Sequence, residues 1–233
     1  IVEYRLGGAI VAPARLAGPA AGDRRYVAKS QISMHSHFSP RHGTEAEMGL
    51  GLVWTGPSNG LASLQRALHR IFSAPRPSAA DTQLGNHLYP VLSGEFARPF
   101  GLGGAEWRPF LEARAGDETL LRLGLDLAFG GRERGALWLR DTVTGQRYVG
   151  IAGTAETVTG FVLGADIAHV FDSAYFPAAD GVAFAPTRKR LRAGISTRNG
   201  AFGLFYGLAW LSEEFEGQPE GQVIGSLRGR VNF

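Results

Sequence analysis

The sequence predicts an all-β chain, an antiparallel transmembrane β-barrel of about 10–12 strands with one short helix in an extracellular loop. Three observations carry this expectation. In Gln222 to Phe233, Val223, Gly225, Leu227, Gly229, Val231 and Phe233 share one face of an extended strand. Gln222, Ser226, Arg228, Arg230 and Asn232 share the other, with Ile224 as the one apolar intruder. That stretch is about twice the usual strand of five to six residues, and it closes on an aromatic residue. The same alternation recurs upstream: Phe202, Leu204, Tyr206, Leu208 and Trp210 with Phe205 as an exception; Leu121, Leu123, Leu125, Leu127 and Phe129; Met48, Leu50, Leu52 and Trp54; Tyr26, Ile32, Met34 and Phe38. Their opposed faces carry Lys29, Glu45, Glu47, Arg122 and Asp126. That face must be wet or internally paired, because an isolated buried charge is costly. Finally, no segment approaches about eighteen consecutive apolar residues, which excludes a transmembrane helix.

Composition agrees. Of 233 residues, 44% are hydrophobic and 19% charged, as expected when half of each strand faces lipid, and a single barrel domain over 1–233 accounts for the whole length. The 33 glycines suit close-packed strands and turns, and the absence of cysteine suits passage through an oxidising periplasm. The 24 basic and 21 acidic residues are scattered, so no nucleic-acid partner is expected, and the barrel is expected to be a monomer. A chain opening at Ile1 without a leader is expected to be processed or a fragment.

In order, strands are expected at about 2–12, 25–38, 44–56, 88–100, 106–115, 119–129, 159–171, 187–197, 201–212 and 222–233. Residues 39–43 (Ser-Pro-Arg-His-Gly) and Arg198-Asn199-Gly200 read as tight turns on the periplasmic side, which sends the longer segments 13–24, 57–87, 172–186 and 213–221 outside. Residues 130–158 resist the pattern, unless 136–140 and 147–151 pair as a further hairpin and raise the strand total to twelve. Trp54, Trp138, Trp210, Tyr26 and Tyr206 are candidates for interface girdles.

The helix is expected near 59–73, capped by Ser58 or Asn59 and ended by Pro75 and Pro77. Leu61, Leu64, Leu68, Ile71 and Phe72 form an apolar stripe expected to dock on the barrel's outer end. Gln65 and His69, four residues apart, sit at the stripe's edge and are expected side by side facing a cleft. A histidine so held can act as general base toward water, with the amide orienting the water or an ester; a solvated or capping pair is the blander alternative.

Gly56-Pro57, the run Leu64-Gln65-Arg66-Ala67-Leu68-His69-Arg70-Ile71, Asp81-Thr82-Gln83-Leu84-Gly85-Asn86, the upstream Gly22-Asp23-Arg24 and the late run 212–218 (Ser-Glu-Glu-Phe-Glu-Gly-Gln) together resemble the outer-membrane lipid A 3′-O-deacylases. The resemblance implies a twelve-stranded barrel in the outer membrane whose site near the outer leaflet hydrolyses an acyl ester of lipid A, with calcium dependence. It assigns water activation to His69 and the helix amide to Gln65. A lysine expected in the loop 12–21 is absent, leaving Arg15 as the only cation there for the oxyanion, although Arg and Lys are not interchangeable at such a site. The metal-linked Asn-Asp pair has no counterpart before Ile1, and no ionisable residue occupies Ser73-Ala74-Pro75, where an acid is expected to orient the histidine. The chain is therefore expected to be an amino-terminally truncated or divergent member with little or no activity.

Arg24, Arg188 and Arg190, beside Lys189 and Arg192, are candidates for lipid A phosphates, against a merely solvated rim. His35 and His37 face inward with Lys29, where lumen polarity weighs above metal binding. Two functions thus compete: an outer-membrane ester hydrolase acting on lipid A, and a non-catalytic barrel serving as a small pore, scaffold or lipopolysaccharide-binding protein.

Overall fold

The computed structural model describes residues 1–15, 22–131, 135–151, 153 and 157–231, so the terminal Phe233 lies outside the described residues. Its strands are β1 (Val2–Val11), β2 (Val27–Phe38), β3 (Glu45–Thr55), β4 (His87–Ala97), β5 (Phe100–Leu102), β6 (Ala105–Ala115), β7 (Glu118–Gly130), β8 (Leu137–Arg140), β9 (Arg147–Ile151), β10 (Thr157–Ser173), β11 (Thr187–Asn199), β12 (Phe202–Leu211) and β13 (Gln222–Val231), with helix α1 (Leu61–Ile71) between β3 and β4. Ten of them form one antiparallel wall in the order β1-β2-β3-β4-β6-β7-β10-β11-β12-β13, with β5 extending β6 locally. Each wall strand pairs with the next in sequence, as hairpins do, apart from the steps over β5 and over β8 and β9. Among the described residues no ladder joins β1 to β13, so the wall curls without closing.

Alternation along these strands sets two faces. Phe202, Leu204, Tyr206, Leu208 and Trp210 are exposed on the outside, as are Leu121, Leu123 and Leu125, while Arg122 and Asp126 are buried on the inside. The inner face satisfies its charges by pairing. Asp126 meets Arg192 at 2.6 Å and Arg140 at 2.6 Å, Glu95 meets Arg108 at 2.7 Å, and Arg122 grips Glu112 at 2.7 Å.

Residues 136–151 correct the strand count. β8 and β9 do pair as a hairpin, but as a separate two-stranded sheet and not as part of the wall, which stays at ten strands. The hairpin folds into the lumen because its side chains complement the inner face. Arg140 reaches Glu95 at 2.5 Å, and the wholly buried Gln146 donates from Nε2 to the carbonyls of Ala193 (3.0 Å) and Leu208 (2.9 Å). Arg190 donates to the Val143 carbonyl at 3.1 Å, and Asp141 accepts from Arg228. A Cβ at Gly207 would stand 2.7 Å from Gln146 Nε2, so the close approach needs glycine there. Trp138 and Tyr148 pack on Ala128, Val162 and Phe205. Trp138 is therefore an internal residue and not a girdle aromatic, and the inward Phe205 that broke the alternation is its packing partner.

At the other end the long connections converge. Val27, Leu84, Tyr175, Phe176, Val182 and Phe215 form an apolar cluster drawn from the start of β2 and the loops after α1, β10 and β12. The tight turn at Gly200, with φ of 58°, lies at the opposite end of its strands. Long loops thus gather at one end, the outer one by the usual asymmetry.

Candidate active site

The helix is anchored by its small residues. Gly60, at φ 78°, is the residue that precedes α1, and neither Ser58 nor Asn59 occupies the cap position itself. Asn59 still serves the helix: its Oδ1 accepts from the Leu61 N–H at 3.0 Å, and its amide donates to the Ala28 carbonyl at 2.9 Å, tying the first turn to β2. Ala62 is buried with Tyr26, Ala28, Ala79 and Ala80, and Leu61 and Ile10 pack against that group. Tyr26, Ala28 and Ile10 belong to the outward side of the alternation, so α1 lies on the outer flank of the wall.

Of the apolar stripe only Leu61 makes this contact. Leu64, Leu68, Ile71 and Phe72 are exposed, which corrects the expectation that they dock on the barrel end. The wall below α1 offers Gly8, Ala28 and Tyr26, a surface that accepts Leu61 and Ala62 and leaves the rest of the stripe turned away.

Gln65 and His69 are half-buried on the helix flank, and each is held by one specific bond. The Tyr26 hydroxyl donates to Gln65 Oε1 at 2.6 Å. Burial pushes the Tyr26 phenol above its ordinary pKa, which keeps it a donor. With its oxygen engaged, the Gln65 amide presents its NH₂ group outward. His69 Nδ1 lies 2.6 Å from the Pro75 carbonyl oxygen. A carbonyl only accepts, so Nδ1 carries the proton and Nε2 keeps its lone pair. The acid missing from residues 73–75 is thus replaced by a main-chain oxygen.

A specific turn delivers that oxygen. Ser73 adopts φ 53°, in the left-handed region, and Ala74 N–H donates to the His69 carbonyl at 2.8 Å. This is a left-handed helix stop, and it folds Pro75 back beside the imidazole. Sequence reasoning missed both partners. Tyr26, a girdle candidate by its place in the alternation, is buried beneath α1; a backbone carbonyl leaves no sequence signal at all.

The remaining candidates fall elsewhere. Arg15 is exposed, just before residues that lie outside the described ones, and the Ala14 N–H donates to Asp23 at 2.9 Å. Arg24, Arg188 and Arg190 lie on the inner side, lining a lumen cavity of about 360 Å³ to which Gln65 and His69 do not contribute. Arg24 pairs with Glu214 and stacks 5.1 Å over Phe176, Arg188 meets Glu118 at 2.8 Å, and Arg190 meets Asp166 at 3.0 Å. His35 and His37 are paired to Glu47 (2.6 Å) and Glu3 (2.9 Å). Among the described residues no group of three or more His, Asp or Glu is arranged to hold a metal ion.

The family described as outer membrane protein LpxR matches residues 2–233. No curated protein sequence matches the chain. Among solved structures, LpxR from Salmonella typhimurium is similar, with a TM-score of 0.87 at 17% identity over 100% of this chain and 83% of that one. At that identity the likeness is one of fold.

Proposed function

From the premise that this chain belongs to the family of the outer membrane protein LpxR, and so resides in the outer membrane, we propose that it is an ester hydrolase that removes an acyl chain from lipid A. The observation that carries the reading is the state of His69. Its Nδ1 lies 2.6 Å from the Pro75 carbonyl oxygen, a contact that in the neutral imidazole puts the proton on Nδ1 and leaves Nε2 as the acceptor.

In this reading Nε2 takes a proton from water as the water oxygen bonds to the ester carbonyl carbon. The resulting oxyanion is met by the Gln65 NH₂ group; Arg15, which no contact among the described residues brings beside His69, is assigned no step. The intermediate collapses by breaking the bond to the ester's alcohol oxygen, and the imidazolium returns its proton from Nε2 to that oxygen, leaving a fatty acid and a hydroxyl on lipid A. No step is assigned to calcium. Arg24, Arg188 and Arg190 each keep a buried side-chain nitrogen without a hydrogen-bond partner, but they line the lumen cavity, on the other side of the wall from His69, and are assigned no part in this reaction. The pore alternative is opposed by the β8–β9 hairpin, which occupies the lumen.

The test is mass spectrometry of lipid A from cells expressing the chain. Loss of an ester-linked acyl chain is expected, and His69→Ala should lower it about 10²–10⁴-fold, with Gln65→Ala milder. Unaltered lipid A with the parent chain would overturn the esterase reading, and undiminished deacylation by His69→Ala would overturn the mechanism.

A further inference from the structure

Helix α1 has three faces, and among the described residues one packs on the wall, one is polar and paired through Arg66, and one is left bare. The wall side carries Leu61, Ala62 and Gln65: a Cβ at Gly8 would stand 3.0 Å from the Leu61 side chain, Ala62 is buried among Tyr26, Ala28, Ala79 and Ala80, and Gln65 accepts from Tyr26. A polar side carries Ser63, Arg66 and Arg70, with Arg66 paired to Asp81 at 3.2 Å. Between them runs the third face, where Leu64 is 55% exposed, Leu68 43%, Ile71 72% and Phe72 75%. Four large apolar side chains side by side on one helix form a patch that water disfavours.

We propose that this face inserts among the acyl chains of the outer leaflet, so that α1 is an interfacial anchor lying along the boundary between headgroups and hydrocarbon. Continuity with the lipid-facing wall identifies the occupant. On β1 the outward series Tyr4, Leu6, Gly8, Ile10 runs from open surface to the place where α1 sits. Tyr4 and Leu6 are 77% and 86% exposed, Gly8 meets Leu61, and Ile10 packs beneath the helix. The series Met34, Ile32, Ala28 on β2 does the same. The stripe therefore extends the apolar band of the wall at its outer end. The basic residues Arg66, Arg70 and Arg76 on the remaining surface suit the anionic headgroup layer above. A helix so oriented also holds His69 at the depth where acyl ester bonds lie. The anchor rests on the exposure pattern and the outer-membrane location, and it stands whether or not the chain is an esterase.

The chain has no cysteine, so single-cysteine variants can carry a nitroxide without background. Leu64→Cys, Leu68→Cys and Ile71→Cys, with Ser63→Cys and Arg70→Cys as the polar-side set, would be labelled in the full chain reconstituted in phosphatidylcholine and phosphatidylglycerol vesicles. Collision with oxygen, which concentrates in lipid, would be compared with collision with a water-soluble nickel chelate. The expected result is a several-fold preference for oxygen at 64, 68 and 71, reversed at 63 and 70. Equal nickel accessibility at all five positions would overturn the proposal by placing the helix in water. Labels at 64, 68 and 71 that are immobile and shielded from both reagents would overturn it by showing a protein cover, either a second copy or another segment of this chain. All five positions are exposed, so a labelled chain that fails to fold is not the expected obstacle, and heat-modifiable migration on gels checks the wall in each variant.

Discussion

Arg140 is the residue on which the lumen hairpin depends most, and Arg140→Met measures how strongly the hairpin is held. The guanidinium reaches Glu95 at 2.5 Å and Asp126 at 2.6 Å, donates to the Gly145 carbonyl at 2.9 Å and lies 3.9 Å over the Phe110 ring. Removing one partner of a buried ion pair costs about 3–5 kcal/mol, chiefly because the other charge is stranded. Here stranding is incomplete: Glu95 retains Arg108 at 2.7 Å and Asp126 retains Arg192 at 2.6 Å. The lower end applies, about 3 kcal/mol, and at 1.4 kcal/mol per factor of ten this is roughly a hundredfold in the hairpin's opening equilibrium. Hydrogen exchange by mass spectrometry in lipid should show peptides over 137–151 exchanging about a hundredfold faster, with the ten-stranded wall unchanged. Arg147 provides the internal comparison, because its contacts with Glu45 and Asp126 are looser, 3.8 and 4.0 Å. Arg147→Met should change exchange by less than about tenfold, since a loosely paired buried charge contributes little net stability. A change below about threefold for Arg140→Met, or equal acceleration of hairpin and wall, would refute the view that the hairpin is a separate unit fastened by this arginine.

Two further predictions concern the site. Tyr26→Phe removes the donor to Gln65 Oε1 and leaves that oxygen unpaired; a loss of about 1 kcal/mol should lower kcat roughly fivefold with KM little changed, and a rise in KM alone would show that Tyr26 shapes substrate binding instead. Ser73 holds the left-handed turn at φ 53° that returns Pro75 to His69. Ser73→Gly should be neutral or slightly stabilising, whereas Ser73→Val, with about 1–2 kcal/mol of added strain, should lower activity while the circular-dichroism melt of the wall is retained; equal activity of the two variants would detach the turn from catalysis.

The wall was legible in the sequence because a period of two, with leucines on one face and arginine and aspartate on the other, suits a strand between two unlike surroundings and little else. Periodicity is silent, however, about what a short strand pairs with. Residues 137–140 and 147–151 are too short to carry the alternation that marks the wall strands. Their destination is set by complementarity with an inner face assembled from β3, β4, β7, β11, β12 and β13, contacts that are remote in sequence. The only hints were the exceptions, Phe205 facing inward and glycine at 207. The helix shows a similar limit. Its apolar stripe was legible, but amphipathicity does not say whether hydrocarbon is supplied by the protein or by the membrane. Small residues, Gly8, Ala28 and Ala62, decided that by seating the helix on the wall through Leu61 and Ala62 and leaving Leu64 and Leu68 exposed.

The two sides of the wall thus serve separate ends. Inside, Asp126, Asp166, Glu95 and their arginines neutralise one another around a hairpin, leaving a cavity that His69 does not line. Outside, the imidazole and the Gln65 amide stand between a barrel wall and an apolar helix face. On the proposed reading a substrate would reach His69 sideways from the leaflet and not through the lumen, whose cavity His69 does not line. That route selects for amphiphiles whose ester lies at the headgroup boundary and whose acyl chains remain in hydrocarbon, and it disfavours soluble esters of the same chemistry. A short-chain, water-soluble ester should accordingly be hydrolysed far more slowly than a leaflet-resident one by the same His69. Comparable rates on the two, at equal concentration in the same vesicles, would show that the membrane contributes nothing to selection and that the site is reached from water.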